Sequence, residues 1–302
     1  MALDSVLLAV IDTADSVSIL DPAPSDGGGP AYWILNLFYL ICCVTGVIFI
    51  VVQGMLVYCT VRFRKTKDDD DSEPPQVYGS TPIEVAWTVA PLLTVFVIFL
   101  VVVRTVVEIR VSKPPPNSLP VTVVGHQWWW EFRYPDPKNP EVDLAVTANE
   151  LHVPAGRPIF LRLESVDVIH SFWIPRLAGK TDVVPGHPNH MWFRTKEAGL
   201  FQGQCAEYCG TQHANMLLNV YVDEPETFQR WLENERRPAR DGFDVRKGKE
   251  KFLSLACVGC HTVRGTPARG LFGPDLTHLM SRRTLASGMV PNDQEHLHRW
   301  GG

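Results

Sequence analysis

GQCAEYCGTQHANM, residues 203–216, crowds two cysteines, a histidine and a methionine into one short stretch. Cys205, Cys209, His213 and Met216 follow the spacing C-x3-C-x3-H-x2-M. Thiolate, imidazole and thioether together favour copper over hard cations. A tetrahedral zinc site ordinarily takes another Cys or His where this loop has Met. A Cys205–Cys209 disulfide, which an oxidising compartment would permit, leaves His213 and Met216 without a purpose. The stretch therefore reads as a copper loop. His170, in VIHSFW at 168–173, is a candidate fifth ligand from a separate strand.

On either side of the loop the pattern alternates. VTVV at 121–124, PIFLRLE at 158–164 with Ile159, Leu161 and Leu163 on one side, and LLNVYV at 217–222 are period-two runs punctuated by Gly, Pro and Asn. Such runs predict an antiparallel sandwich or barrel over 121–222.

Upstream, residues 31–61 contain no charged residue, and a second uncharged run, VAWTVAPLLTVFVIFLVVV, covers 85–103. Roughly 20 apolar residues cross a bilayer, so the two runs predict a transmembrane hairpin over 31–111, with Pro91 near the entry of the second span, where a kink is tolerated. No Lys or Arg precedes the first span, whereas Arg62, Arg64, Lys65 and Lys67 follow it, ahead of the acidic run DDDD at 68–71. The asymmetry places both termini outside. The opening MALDSVLLAV lacks a basic first region and reads as the remnant of a processed precursor or a non-standard start. Segment 1–30 is then periplasmic. SKPPPNSLP at 112–120 reads as an extended, semi-rigid linker leaving the membrane.

Downstream, EPETFQRWLENERR at 224–237 has acidic residues early, basic residues late, and Phe228, Trp231 and Leu232 at helical spacing, so 223–243 holds a connecting helix. A second helical pattern begins near Val245 and runs into CVGCH at 257–261, the C-x-x-C-H signature of covalent haem attachment. Residues 244–302 form a small third domain, in which Cys257 and Cys260 would carry the haem and His261 would be its proximal ligand. A chance match or a redox disulfide is the competing reading. The net charge of −5 shows no basic face for nucleic acid.

The hairpin, GHQWWWEFRY at 125–134, DVIHSFWIP at 167–175, KTDVVPG at 180–186 and the copper loop, in this order, resemble subunit II of the haem-copper cytochrome c oxidases over roughly residues 19–222. The resemblance implies a cupredoxin-like Greek-key barrel after the helical hairpin, followed by an all-α cytochrome c domain. It implies a dinuclear CuA centre in which Cys205 and Cys209 bridge two coppers, His170 and His213 each bind one, and Met216 and the Glu207 carbonyl are weak outer ligands. Trp128 would be the point of electron entry, with Trp129 and Trp130 as packing and surface partners; strand packing is the alternative for any one of the three. The Glu207 carboxylate would help bind a magnesium or manganese ion at the contact with subunit I, against a plain solvated glutamate. Glu84 would serve a proton-uptake path, against a merely interfacial glutamate. Resemblance to small cytochromes c, through Gly248, Phe252 and GPDL at 273–276, implies that the Pro274 carbonyl accepts the His261 ring hydrogen. In that pattern the axial Met follows a further helix, and the chain stops at HLHRWGG where that helix begins. The domain therefore reads as incomplete; Met289 as sixth ligand and a five-coordinate haem are the alternatives.

The expected function is electron transfer from a periplasmic donor such as cytochrome c, through haem c and CuA, to subunit I of a proton-translocating oxidase that reduces oxygen to water. Subunits I and III and the bacterial inner membrane are the implied partners, with a multi-pass anchor and the soluble domains on the outer side. The alternative is a membrane-anchored module for copper delivery. Quinol oxidases lack the copper cysteines, and nitrous oxide reductase is not expected to carry this hairpin.

Overall fold

The structure is a computed structural model that describes residues 20–23, 29–65, 73, 75–110 and 113–301. The N-terminal MALDSVLLAV and the acidic run at 68–71 lie outside them.

Two helices make up one compact unit, helix α1 (Pro30–Arg62) and helix α2 (Thr81–Ile109). At about 1.5 Å per residue, 33 and 29 residues reach roughly 50 and 43 Å, beyond the ~30 Å hydrocarbon core of a bilayer. Apolar side chains such as Phe49, Val61, Leu92 and Phe99 point outward, which suits lipid as the solvent. Hydroxyls in this setting are satisfied internally: Thr45 donates to the Ile41 carbonyl at 2.8 Å, Thr60 to Leu56 at 2.7 Å and Thr94 to Ala90 at 2.9 Å. Helix α2 continues through Pro91. The Arg104 guanidinium lies over the Trp33 ring, 5.4 Å from its centroid, so the end of α2 meets the start of α1.

The second unit begins with a turn. Instead of running extended throughout, the proline-rich stretch folds back at Pro115–Ser118, where the Ser118 N–H reaches the Pro115 carbonyl at 3.1 Å. Arg157 holds the turn by donating to the Asn117 and Ser118 carbonyls at 2.8 and 3.1 Å.

Ten strands follow: β1 (Leu119–His126), β2 (Trp129–Asp136), β3 (Asn139–Ala148), β4 (Glu150–Pro154), β5 (Ile159–Ser165), β6 (His170–Trp173), β7 (Thr181–Val183), β8 (Asn189–Phe193), β9 (Gly199–Cys205) and β10 (Leu217–Asp223). They form two five-stranded sheets, β3-β2-β1-β5-β8 and β4-β10-β9-β6-β7, in a cupredoxin-like sandwich. Two pairings, β1 with β5 and β4 with β10, are parallel and the rest antiparallel. The inward positions carry the core: Val121 and Val123, Phe132, Leu161 and Leu163 from one sheet meet Leu151, Phe172, Phe201, Leu218 and Val220 from the other. Trp130, with no exposed surface, stands edge-on to Phe172 with ring centroids 5.1 Å apart.

Helix α3 (Pro225–Glu235) is more than a connector, because it packs against β3, β4 and β10 of the sandwich. Phe228 is buried, and Trp231 stacks on His152 at 4.3 Å and meets Tyr134 edge-on at 5.2 Å. The C-terminal module holds helix α4 (Arg246–Leu253), a 3-10 turn at Ala256–Gly259, and helix α5 (Gln294–Gly301). A second 3-10 turn at Leu279–Ser281 and one short hairpin, β11 (Thr284–Leu285) with β12 (Val290–Pro291), are its other regular elements, and turns and loops make up the rest.

At Gly203 on β9 a Cβ would stand 2.6 Å from the Trp173 carbonyl on the neighbouring strand β6, a contact the backbone must move to relieve. Gly203→Ala is expected to destabilise the sandwich by about 1–3 kcal/mol. Gly248→Ala on α4, where a Cβ meets open space, should instead stabilise by roughly 0.5–1 kcal/mol. Denaturant midpoints of the detergent-solubilised chain check both signs.

Candidate metal centre and the neighbouring crevice

Three adjacent strands bring the soft ligands together. The 203–216 stretch is the connection between β9 and β10, closed at its ends by the Cys205 N–H on the Met216 carbonyl at 3.0 Å. On the other side of β9, Phe172 of β6 pairs with Cys205. Side chains two apart on a strand share a face, so His170 projects beside Phe172 toward the same sulfur. The Ala206 N–H on the Ser171 carbonyl at 2.8 Å fixes the start of the loop to β6.

The donor atoms form a chain of near-equal separations. His170 Nδ1 lies 3.9 Å from Cys205 Sγ, the two sulfurs are 3.8 Å apart, Cys209 Sγ is 3.7 Å from His213 Nδ1, and Met216 Sδ is 3.8 Å from Cys209 Sγ. The Glu207 carbonyl oxygen is 3.2 Å from Cys205 Sγ. Both thiols are free, and 3.8 Å is nearly twice the ~2.05 Å of a disulfide bond. Donors that each stand about 2.0–2.3 Å from a shared metal lie roughly 3.3–3.8 Å from one another, so the set fits metal ligation. Each sulfur has an imidazole nitrogen within 4 Å. His170, Cys205, Cys209 and Met216 are buried, and His213 is partly exposed.

A second layer fixes this frame. His170 Nε2 is 2.8 Å from Asp167 Oδ1, which assigns the ring proton to Nε2 and leaves the Nδ1 lone pair for a metal. Asp167 is held in turn by the N–H groups of Gln127 and Val168, both at 2.6 Å. Gly125 leaves space for the ring, since a Cβ there would meet His170 Cδ2 at 2.8 Å. The Gln127 side chain and the Trp128 indole N–H both donate to the Cys209 carbonyl, at 2.8 and 3.1 Å. Trp128 is thereby one hydrogen bond from a thiol ligand. Neither Asp167 nor Gly125 was assigned a role on sequence grounds; an acid three residues before a candidate histidine ligand is the available signal for the first.

Charge is unevenly shared between the thiols. Burial pushes Cys205 up, but a hydrogen bond from His170 and bonds with the backbone outweigh it and bring the thiol down to about 6. Without a metal, His170 is favoured doubly protonated between Cys205 and Asp167. Burial and the neighbouring Cys205 charge push Cys209 up to about 12. Metal uptake at the pair therefore releases a proton.

The second candidate site lies in the C-terminal module. His261 Nδ1 is 2.8 Å from the Pro274 carbonyl, which directs the opposite nitrogen away from that bond. Gly273 permits the approach, because a Cβ there would meet His261 Cε1 at 2.5 Å. His261 lines a cavity of about 360 Å³ with Leu276, Leu279 and Leu297, and the wall shared with the β-sandwich is Trp128 and Trp129. Cys257 and Cys260 are free, one half-buried and one exposed. A histidine oriented by a carbonyl, two free thiols in C-x-x-C-H order and an apolar crevice fit a covalently held haem. Met280 and Met289 are exposed and neither lines this cavity.

The remaining candidates stand apart. Glu84, in the first turn of α2, accepts the Ser80 N–H at 3.2 Å and so serves the helix start. Glu207 is exposed on the copper loop, and among the described residues the only group of three or more Cys, His or acidic ligands is His170, Cys205 and Cys209.

A cupredoxin-like sandwich with two buried thiols beside a buried and a partly exposed imidazole, together with a membrane hairpin and a C-x-x-C-H module, defines a membrane-anchored electron-transfer protein. Three family profiles match in series: cytochrome c oxidase subunit II, transmembrane domain, over residues 31–104; cytochrome c oxidase subunit II, periplasmic domain, over 119–222; and cytochrome c over 245–300. The chain is 32% identical over 292 residues to cytochrome c oxidase subunit 2 of Alkalihalophilus pseudofirmus, covering 95% of this chain and 81% of that one. It is 31% identical to cytochrome c oxidase subunit 2 of Bacillus subtilis, over 80% of this chain and 71% of the relative. Among solved structures, the periplasmic domain of subunit II of cytochrome oxidase (CoxB) of Bradyrhizobium japonicum matches at 31% identity and TM-score 0.38, over 41% of this chain and 97% of that one. The chain belongs to the cytochrome c oxidase subunit 2 family, with a cytochrome c domain at its C-terminal end.

Because Asp167 orients His170, Asp167→Asn is expected to weaken copper binding by about 10–100-fold. Gly125→Ala, which drives the His170 ring from its place, should do so at least as strongly. Competitive titration of copper against a chelator, with the purified full chain, measures both losses; wild-type affinity in both variants would contradict the assignment.

Proposed function

We propose that this chain is the electron-transfer subunit II of an aerobic cytochrome c oxidase, receiving electrons through its cytochrome c domain and passing them by a dinuclear copper centre to subunit I. The observation that carries the reading is the pair of thiols 3.8 Å apart, each with an imidazole nitrogen within 4 Å, with the Trp128 indole bonded to the Cys209 carbonyl. When bound, the copper pair and the haem supply one-electron carriers.

The residues do the positioning. Cys205, Cys209, His170 and His213 would hold the copper pair, with Met216 and the Glu207 carbonyl as weaker donors. Strands β6, β9 and β10 keep these donors in a stiff frame, so little rearrangement accompanies a change of charge. Cys257 and Cys260 would attach the haem and His261 would be its proximal ligand, with the Pro274 carbonyl keeping the His261 ring proton on Nδ1. Trp128, which touches both the crevice and the copper loop, is the point of electron entry. The Glu207 carboxylate contributes to a magnesium site completed by subunit I, and Glu84 to proton uptake.

The organisation we propose is an N-terminal periplasmic segment (1–30), a hairpin (31–111), a copper domain (121–222), a linker helix (223–243) and a cytochrome domain (244–302). The hairpin spans the bacterial inner membrane, the soluble part faces the periplasm, and subunits I and III and a periplasmic donor such as cytochrome c are the partners. A copper carrier must release its metal; burial of Cys205, His170 and Met216 opposes that alternative.

Two measurements test the proposal, the first on the full chain matured with haem and copper and the second on the assembled oxidase. Haem is expected to stay with the polypeptide on denaturing gels, and to be lost in a Cys257→Ala, Cys260→Ala double variant. In the assembled oxidase, Trp128→Phe should slow oxygen consumption on cytochrome c by at least about tenfold, roughly 1.4 kcal/mol of barrier, with the copper absorption unchanged. Haem that dissociates on denaturation, or full turnover in Trp128→Phe, would contradict the reading.

A further inference from the structure

Glu150, the first residue of β4, pairs with Asn219 of β10 at the edge of the sandwich and is only 2% exposed. A buried carboxylate is costly unless hydrogen bonds satisfy it. Its bonds come from the other module. Glu150 Oε1 accepts the Arg283 N–H at 2.9 Å, the Thr284 N–H at 2.8 Å and the Thr284 hydroxyl at 2.7 Å, and Oε2 is 3.2 Å from the same Arg283 nitrogen. Around this anchor the Asn219 side chain donates to the Thr284 hydroxyl at 3.3 Å, and the Arg283 guanidinium lies 4.9 Å over the Tyr221 ring.

The chain then turns sharply. Ala286, Ser287 and Gly288 have φ of 50°, 57° and 87°, a left-handed run that a non-glycine residue adopts only where its surroundings hold it. The turn aims the Ser287 hydroxyl at the Trp128 carbonyl, 2.7 Å away. Ser287 and Leu285 join Trp128 and His261 in lining the one crevice. Nothing in the pairing of β4 with β10 calls for a carboxylate at this edge. The hydrogen bonds of the Glu150 carboxylate all go to Arg283 and Thr284, at the head of the 283–288 segment.

We propose that Glu150 is a positioning residue, a buried carboxylate latch that docks the cytochrome module on the Trp128 edge of the copper domain, with Ser287 setting the register. The latch exchanges no electron and no proton. It fixes the separation between His261 and Trp128, and it covers the Trp128 edge with the chain's own module, so that a separate donor protein does not reach the copper loop by that route. The proposal rests on the electron-transfer reading of the two sites.

The test uses the assembled oxidase with Glu150→Ala and, as a variant that leaves β4 untouched, Ser287→Ala. Amide hydrogen exchange reports docking without reference to either metal: in Glu150→Ala, peptides covering 283–288 are expected to exchange at least about tenfold faster. After photoreduction of the haem, electron arrival at copper should slow by at least about tenfold in Glu150→Ala and several-fold in Ser287→Ala, with haem and copper absorption unchanged. Direct reduction of copper by added soluble cytochrome c should speed up in both. Unprotected 283–288 amides in the wild type, or wild-type exchange and rates in both variants, would overturn the latch while leaving the electron-transfer reading intact. A wild-type protein that lacks covalent haem or the copper signal would overturn that reading, and the exchange data would still decide whether the latch forms.

Discussion

The register of β6 against β9 governs the rest of the site. Setting Phe172 opposite Cys205 places His170 against the same sulfur, and a slip of one residue would turn His170 out of the sandwich. Two features defend the register. Trp130, edge-on to both Phe172 and His170, fills the core beneath the pair, and the Ala206 N–H on the Ser171 carbonyl pins the loop. Gly203 and Gly125 belong to the same constraint, since at each a side chain would meet β6 atoms that must stay where they are.

The parts written in local pattern were legible from sequence. Ile159, Leu161 and Leu163 fall on one buried face as their alternation implies, and the uncharged runs are helices long enough to cross a bilayer. The copper loop was legible because four soft ligands within 12 residues have few other uses. Contacts between distant segments were not. The link from Asp167 to Gln127 and the one from Glu150 to Thr284 join residues far apart in the chain, and nothing in their immediate neighbours announces either partner. The proline-rich stretch before β1 also departed from expectation, because Arg157, some 40 positions on, bonds the carbonyls that make it turn. The short hairpin in the C-terminal module has the same origin: β11 is held by Glu150 rather than by its own two residues.

Burial divides the labour between the modules. The β-sandwich uses its core to hold soft ligands still, whereas the C-terminal module lets backbone come close to the His261 ring at Gly273 and completes its crevice with tryptophans from the sandwich. Trp128 is the residue both modules share. Its indole reaches the Cys209 carbonyl and its own carbonyl receives Ser287, so one side chain and its backbone join the copper loop to the crevice.

Electron paramagnetic resonance of the oxidised, copper-loaded full chain is the most direct test of this organisation. The proposed two-copper centre predicts hyperfine splitting from one unpaired electron shared equally by two copper nuclei. A pattern from a single copper nucleus, or no copper signal after loading, would contradict it.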